Sequence, residues 1–328
     1  MTVNPLGGIG GHGQDRFRAS VRRFIRQHVA PRTERWERSG TFPRAAITAC
    51  AKRGYLRLDG WRTAILAEEL ARSESLGTAL SIFVQAGLIV PLLDRLAVAK
   101  QRSEFLDATA AGKRVGAMAV SEPGAGSDFA GLTCRAVSNK RGDFVIDGVK
   151  TYITCGAAAD FVILAARQGE APDAELSLFV VPTALRGVRV ERLTTLGLST
   201  TAMGRLTFKA CRVPSTHRLG EPGAAYSSIQ EALNRERLFG GVGAVAWAQY
   251  ALEKTAAYLR SRKAFGRQLN RFQAVRHEMA DRATELEASR QLSYATLATW
   301  MAGKNVTKEI AMIKVFAYQA VQRTIETC

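Results

Sequence analysis

Histidine is scarce in this chain. His12, His28, His217 and His277 are the only four in 328 residues, and they form no HExxH or HxH pattern. Cysteine is little commoner: Cys50, Cys134, Cys155, Cys211 and Cys328 contain no CxxC pair. Zinc ligands come at short, fixed spacings, so no metal site is expected. An odd number of scattered thiols also argues against a disulfide framework and for a reducing compartment, with the cytoplasm as the expected location. By inspection no apolar run reaches the roughly 20 residues that cross a bilayer, so no membrane partner is expected. Residues Met1 to Asp15 are Gly-rich and lack the apolar stretch of a secretory signal. Arg16 to Arg38 is Arg-rich, but Glu34 and Glu37 interrupt the acid-poor character of a transit peptide. What the chain has in excess is positive charge, 46 Lys and Arg against 29 Asp and Glu, a balance of +17. These residues are mostly Arg and are spread through every region, so no nucleic-acid partner is expected either. An anionic substrate or an acidic carrier fits that balance. With 47% hydrophobic and 23% charged residues the chain reads as globular, and its length suffices for two or three domains.

Three regions differ in hydrophobic period. From Asp15 to about Arg114 the pattern is helical. Phe17, Val21, Phe24, Ile25 and Val29 share one helical face, and Pro31 is the expected end of that helix. Further helices are expected over Pro43–Lys52, Thr63–Ser73 and Thr78–Ala97. From about Val115 to Pro214 the texture is β, with runs at 115–120, 134–138, 144–146, 151–154, 161–165, 176–181, 188–193 and 206–213. Turn signals such as Lys140-Arg141-Gly142-Asp143 and Asp147-Gly148 separate them. From about Ala224 the helical period returns, over 226–260, 272–301 and 306–327, with Gly266 as a breaker. The expected organisation is an N-terminal α-helical domain (1–114), a middle antiparallel β domain (115–223) and a C-terminal antiparallel helix bundle (224–328). That is an α+β multidomain fold.

One loop stands out. Val120-Ser121-Glu122-Pro123-Gly124-Ala125-Gly126-Ser127-Asp128 follows a β run and packs two glycines and a proline into nine residues. Glycine lets a backbone approach a ligand closely, and the loop offers N–H groups and the Ser121 and Ser127 hydroxyls. It is not GxGxxG and opens no helix, so a Rossmann reading fails. An ordinary hairpin turn is the alternative that the residues alone leave open.

The loop resembles the flavin loop of the acyl-CoA dehydrogenases, and other segments match that family in order. Lys150-Thr151-Tyr152-Ile153-Thr154 resembles its Lys-x-Trp-Ile-Thr strand. Arg262-Lys263-Ala264-Phe265-Gly266-Arg267-Gln268-Leu269 with Phe272-Gln273 resembles its Arg-Lys-x-Phe-Gly-x-x-Leu…Phe-Gln segment. Phe24 to Trp36 and Glu68-Glu69-Leu70-Ala71-Arg72 resemble two of its N-terminal helices. The resemblance implies FAD as cofactor. It assigns Met118, Val120, Ser121 and Gly126 to the ring edge and loop, and Ser127, Tyr152 and Thr154 to the ring. Arg262, Phe265 and Gln273 would reach a flavin held by the neighbouring subunit of a homodimer or homotetramer. A guanidinium fork at Arg262 suits a pyrophosphate.

Oxidising a thioester to its enoyl form needs a base for the α-proton, and a desolvated carboxylate serves well. Leu233-Asn234-Arg235-Glu236-Arg237-Leu238 supplies one on the long helix, followed by Gly240, Gly241 and Gly243. Each glycine costs a helix about 1 kcal/mol, so three together indicate close packing of a ligand or backbone on that face. Glu236 and Gly240, four apart, share the face. A surface pair of Glu236 with Arg235 or Arg237, or with a Lys or Arg of a neighbouring helix, is the other reading. In the isovaleryl-CoA and long-chain members the family's base lies in a similar Glu-Arg pair, which favours Glu236. The same resemblance puts Asn234, Arg235, Arg237 and Ser127 along the substrate, with Arg237 toward the CoA phosphates.

The expected function is therefore FAD-dependent α,β-dehydrogenation of an acyl-CoA, with an electron-transfer flavoprotein as acceptor. The alternatives are an acyl-carrier-protein dehydrogenase and a truncated, non-enzymatic homologue acting as an interaction partner. The last arises because the family's Gln-x-x-Gly-Gly-x-Gly and Glu-Gly-Thr segments have no counterpart before Cys328. A fragment of a longer chain and a natural variant that binds flavin weakly both fit that observation. The Gly-rich loop after Gly54-Tyr55-Leu56 is also shortened, with Leu58-Asp59-Gly60 leading directly into a helix.

Overall fold

The computed structural model describes residues 12–171 and 174–328. Most of the expectation for Met1 to Asp15 falls outside those residues. The helices are α1 (His12–Phe24), α2 (Ala30–Ser39), α3 (Arg44–Lys52), α4 (Gly60–Leu70), α5 (Leu76–Phe83), α6 (Val90–Leu96), α7 (Ala99–Gln101) and α8 (Asp107–Ala110). After the strands come α9 (Ala225–Ser261), α10 (Gln273–Met301) and α11 (Thr307–Thr327). The strands are β1 (Gly116–Ala119), β2 (Arg135–Ser138), β3 (Phe144–Ile153), β4 (Phe161–Gln168), β5 (Leu176–Pro182), β6 (Val188–Arg192), β7 (Gly204–Val213), β8 (Arg218–Leu219), β9 (Lys263–Ala264) and β10 (Arg267–Gln268). An N-terminal helical region, a middle β region and a C-terminal helical bundle follow in the expected order.

Pro31 does not end the first helix. A π-helical turn, Ile25–Val29, precedes it, with the Ala30 N–H bonded to the Ile25 carbonyl, and α2 continues to Ser39. Proline has no N–H to donate and crowds the carbonyl four residues back, and the wider turn accommodates both defects. The same device recurs before Pro91: the π turn Val84–Ile89 ends with the Val90 N–H on the Gln85 carbonyl. Leu76–Leu96 thus forms one helical stretch of 21 residues, long and apolar enough to cross a membrane. This corrects the reading that no such run exists; most of the stretch is buried inside the protein. Asp59 caps α4 by accepting the Arg62 N–H at 2.8 Å, which is how the shortened loop leads straight into a helix.

The chain divides into two compact units. One comprises the chain up to Ala30, Asp59–Glu74 and Asn234–Cys328; the other comprises Pro31–Leu58 and Ser75–Leu233. The second holds the sheet, ordered β6-β7-β3-β2-β4-β5-β8, with β1 beside β4. Most pairings are antiparallel, but β1 and β2 both run parallel to β4. The first six residues of β4 are buried, matching its unbroken apolar sequence. The Gln85 side chain serves both backbone groups of Gly116, donating to its carbonyl at 3.0 Å and accepting its N–H at 2.9 Å. Asp147-Gly148, read as a turn, is instead a register shift inside β3. Gly148 has φ +150°, and a Cβ there would lie 2.8 Å from Cys134 Cα, so the position admits only glycine without distortion.

The first unit is helical. Its glycines on α9 are packing sites: a Cβ on Gly241 would strike Ile313 of α11, and one on Gly243 would lie 3.4 Å from the Ala67 carbonyl of α4. Ala248, Leu252 and Leu286 form a buried cluster with Met279 and Val321 against it.

Candidate active site

In the β unit the loop at 120–128 is pinned from beneath. Glu122 is 6% exposed, and its carboxylate accepts from the Thr133 N–H and hydroxyl at 2.7 Å each and from the Cys134 N–H at 3.0 Å. Lys150, fully buried, donates to Glu122 Oε1 and to the Val120 carbonyl, both at 2.8 Å. The Thr151 N–H reaches the Ser121 carbonyl at 2.9 Å. Burial pushes the Glu122 carboxyl up, but Lys150 and the Thr133 donors outweigh it and hold the group below its ordinary value. A tight turn closes between Glu122 and Ala125, so the hairpin reading is also present, inside the loop.

Above this anchor the loop is open. A Cβ on Gly124 or Gly126 would meet nothing within 4 Å among the described residues. Gly126 and Ser127 are exposed, Ser121 and Met118 half-buried, and Val120 buried. On β3, Tyr152 is 72% exposed and has φ +57° beside a second register shift between Lys150 and Ile153. An aromatic residue with positive φ is strained, and a bulge of this kind re-aims a side chain. Open space beside two glycines and a solvent-facing phenol ring suit a planar, hydrogen-bonding cofactor. Thr154, half-buried, follows directly.

In the helical unit Glu236 projects from α9, about a third of the way along it. Its Oε1 and the Tyr318 hydroxyl of α11 lie 3.5 and 3.0 Å from where a Gly240 Cβ would sit, so a larger residue there would touch Glu236 and crowd Tyr318. Desolvation raises the Glu236 carboxyl, with Arg237 and Lys314 pulling the other way. The surface-pair reading fails: among the described residues Glu236 makes no ion pair. Arg237 instead donates to Asn234 Oδ1 at 3.3 Å. Arg235 is turned into the packing, 4.8 Å from the Phe239 ring, 5.3 Å from the Trp300 ring and 3.4 Å from the Thr63 hydroxyl. Desolvation brings its guanidinium down to about 10.

At the other end of α9, β9 and β10 form a hairpin through Phe265 and Gly266, both with positive φ. Phe265 is 94% exposed, and Arg262 and Gln273 are exposed with it. The Phe272 ring carries Arg267 at 4.1 Å.

Three family models match consecutive parts of the chain: the N-terminal, middle and C-terminal domains of acyl-CoA dehydrogenase, over residues 12–113, 117–211 and 226–328. The long-chain specific acyl-CoA dehydrogenase of Rattus norvegicus is 31% identical over 291 residues, 84% of this chain and 67% of its own length. The chain belongs to the acyl-CoA dehydrogenase family. Benzylmalonyl-CoA dehydrogenase of Aromatoleum aromaticum is also 31% identical, over 90% of this chain and 81% of its own. Among solved structures, acyl-CoA dehydrogenase from Geobacillus kaustophilus superposes with a TM-score of 0.91 at 27% identity, covering 96% of this chain and 86% of that one. Acyl-CoA dehydrogenases are flavoprotein oxidoreductases acting on CH–CH groups.

Sequence reasoning named Lys150 only within a motif and gave no part to Glu122, Tyr318 or Lys314. A lysine between β residues, in a strand otherwise rich in Val and Ile, was the available signal for the buried pair. Tyr318 lies on another helix and had none. Its phenol is held up to about 12 by desolvation and by the Glu236 carboxylate. Removing that charge with Glu236→Gln should bring Tyr318 down. A 295 nm alkaline titration, read against Tyr318→Phe, would show phenolate forming at lower pH. An unchanged titration would mean that the two groups do not sense each other.

Proposed function

We propose that this acyl-CoA dehydrogenase binds FAD along the 120–128 loop and β3, and that Glu236 is the base that takes the substrate α-proton. The carrying observation is Glu236 itself, a carboxylate raised by desolvation beside a face cleared by Gly240, with no ion-pair partner among the described residues. Bound FAD supplies the two-electron acceptor for the β-hydride. The residues of this chain do the rest. Met118, Val120, Ser121, Gly126 and Ser127 would line the ring edge, with Tyr152 and Thr154 on its face. Glu236 receives the proton as the α,β-bond becomes a double bond. Asn234 orients Arg237, whose guanidinium would meet the CoA phosphates, and Arg235 shapes the wall through Phe239 and Trp300. The test is anaerobic addition of acyl-CoA to flavin-loaded protein: bleaching of the flavin band supports the reading, and unbleached flavin with bound acyl-CoA refutes it.

The proposal includes a homodimer or a homotetramer, in which Arg262, Phe265 and Gln273 serve the flavin of a second copy. The exposure of Phe265 supports it. Arg262→Ala should lower flavin content per chain while leaving the urea unfolding midpoint unchanged. A monomer that holds flavin stoichiometrically would overturn this assignment. An electron-transfer flavoprotein is the proposed acceptor; a chain 25% identical, with a TM-score of 0.90, belongs to a solved structure of the electron transferring flavoprotein of Acidaminococcus fermentans. A cytoplasmic location is proposed from the free cysteines, four of them buried.

A further inference from the structure

Away from Glu236, the helical unit contains a cavity of about 520 Å³ among α1, α4, α9 and α10. Its lining includes the apolar Val242, Val245, Ala246 and Leu286 together with arginines and glutamates. The lining carboxylates are engaged. Glu69 accepts from Arg18 at 2.9 Å and from Arg22 at 2.8 Å, and Glu287 accepts from Arg290 at 2.6 and 2.8 Å. Glu68 is paired with Arg18, and Glu253 with Arg72. Among the described residues, Arg18 Nε and the Tyr294 hydroxyl are buried without a hydrogen-bond partner. Tyr294 is 3% exposed, with the Arg290 guanidinium 5.3 Å from its ring centroid. Arg18 Nε can only donate and a phenol donates readily, so these two groups are short of an acceptor. A buried donor without one is costly.

We propose that this cavity is a binding site for a small organic monocarboxylate, its carboxylate taken by Arg18 and Tyr294 and its carbon chain laid on Val242, Val245, Ala246 and Leu286. The volume lies in the range of small-ligand pockets. Burial also raises the Glu68 carboxyl, against the pull of Arg18. The site is separate from the candidate base. At 100° per residue, Val242, Ala246, Gln249 and Glu253 lie roughly 80–140° round α9 from Glu236. The inference therefore stands or falls independently of the proposed dehydrogenase chemistry.

The test is calorimetric titration of the whole protein with hexanoate, with 1-hexanol as the uncharged control. Saturable one-site binding of hexanoate is expected, with none by the alcohol. Tyr294→Phe keeps the ring and removes one donor, so Kd should rise about tenfold, the usual effect of a hydrogen bond to a charged group. Ala246→Leu should fill the cavity beside its apolar residues and abolish binding, with circular dichroism confirming that each variant is folded. Hexanoate should raise the melting temperature of the parent more than that of Tyr294→Phe. Glu236→Gln should bind hexanoate as the parent does. Absence of saturable binding, leaving the cavity to water, would overturn the proposal. So would equal binding of hexanol, or binding lost in Glu236→Gln and retained in Tyr294→Phe.

Discussion

Glu236→Gln in the flavin-loaded protein should slow flavin reduction by acyl-CoA by about 10² to 10⁴-fold, the usual contribution of a positioned base. That factor corresponds to about 3–5 kcal/mol of barrier at 1.36 kcal/mol per decade. Glutamine keeps the side-chain shape and removes the basicity, so flavin content and acyl-CoA affinity should barely change. Glu231→Gln is the control. Glu231 lies on the same helix, is largely exposed and is paired with Arg95, so the rate should be unaffected. Equal losses at both positions would indicate damage to the helix. No loss at Glu236 would leave the chain without an assigned base.

The same reading fixes a pH dependence. Only the ionised carboxylate accepts a proton, so the rate of flavin reduction should fall as pH drops through the Glu236 pKa. Desolvation places that limb above the ordinary carboxylate range, while Arg237 and Lys314 hold it back. Lys314→Gln removes one of those cations and should move the acid limb to higher pH while leaving the rate at high pH near the parent's.

What could be read from residues alone was whatever depends on near neighbours in sequence. The three-part architecture follows from changes in period, and α9, α10 and α11 begin and end within about two residues of their expected limits. Glu236 was legible because its glycines stand four to seven positions away on one helix. Prolines misled, because a π turn absorbs Pro31 and lets the helix run on, and no residue pattern marks that turn in advance. The same irregularity hid α7 and α8: the π turn Arg102–Leu106 between them breaks the 3.6 period on which a helix is recognised. Asp147-Gly148 carries turn chemistry, yet the strand continues, because β7 pairs with both sides of it. Side-chain direction was the least legible feature. Arg235 and Arg237 are two residues apart, and only the Phe239 and Trp300 rings decide that the first turns into the packing.

The largest expected effect on stability belongs to Lys150. Lys150→Met would leave the Glu122 carboxylate buried without its cation and the Val120 carbonyl without its donor. Breaking a buried pair from one side commonly costs about 3–5 kcal/mol, because the remaining charge is stranded. Urea unfolding at neutral pH should show that loss, and flavin content should fall with it, since the same ammonium anchors the first residue of the 120–128 loop. The pH dependence identifies the cause. In the parent, Glu122 sits below its ordinary value, so its contribution is present above the unfolded-state pKa and is lost as pH falls through the folded one. In the variant, burial acts without Lys150 to oppose it, so the folded-state pKa rises and protonation relieves the stranded charge. The gap between parent and variant should therefore narrow as pH falls from 7 toward about 4.5, near the ordinary pKa of a glutamate. A gap of constant size across that range would show that Lys150 acts through packing alone, and that the loop does not depend on the charge beneath it.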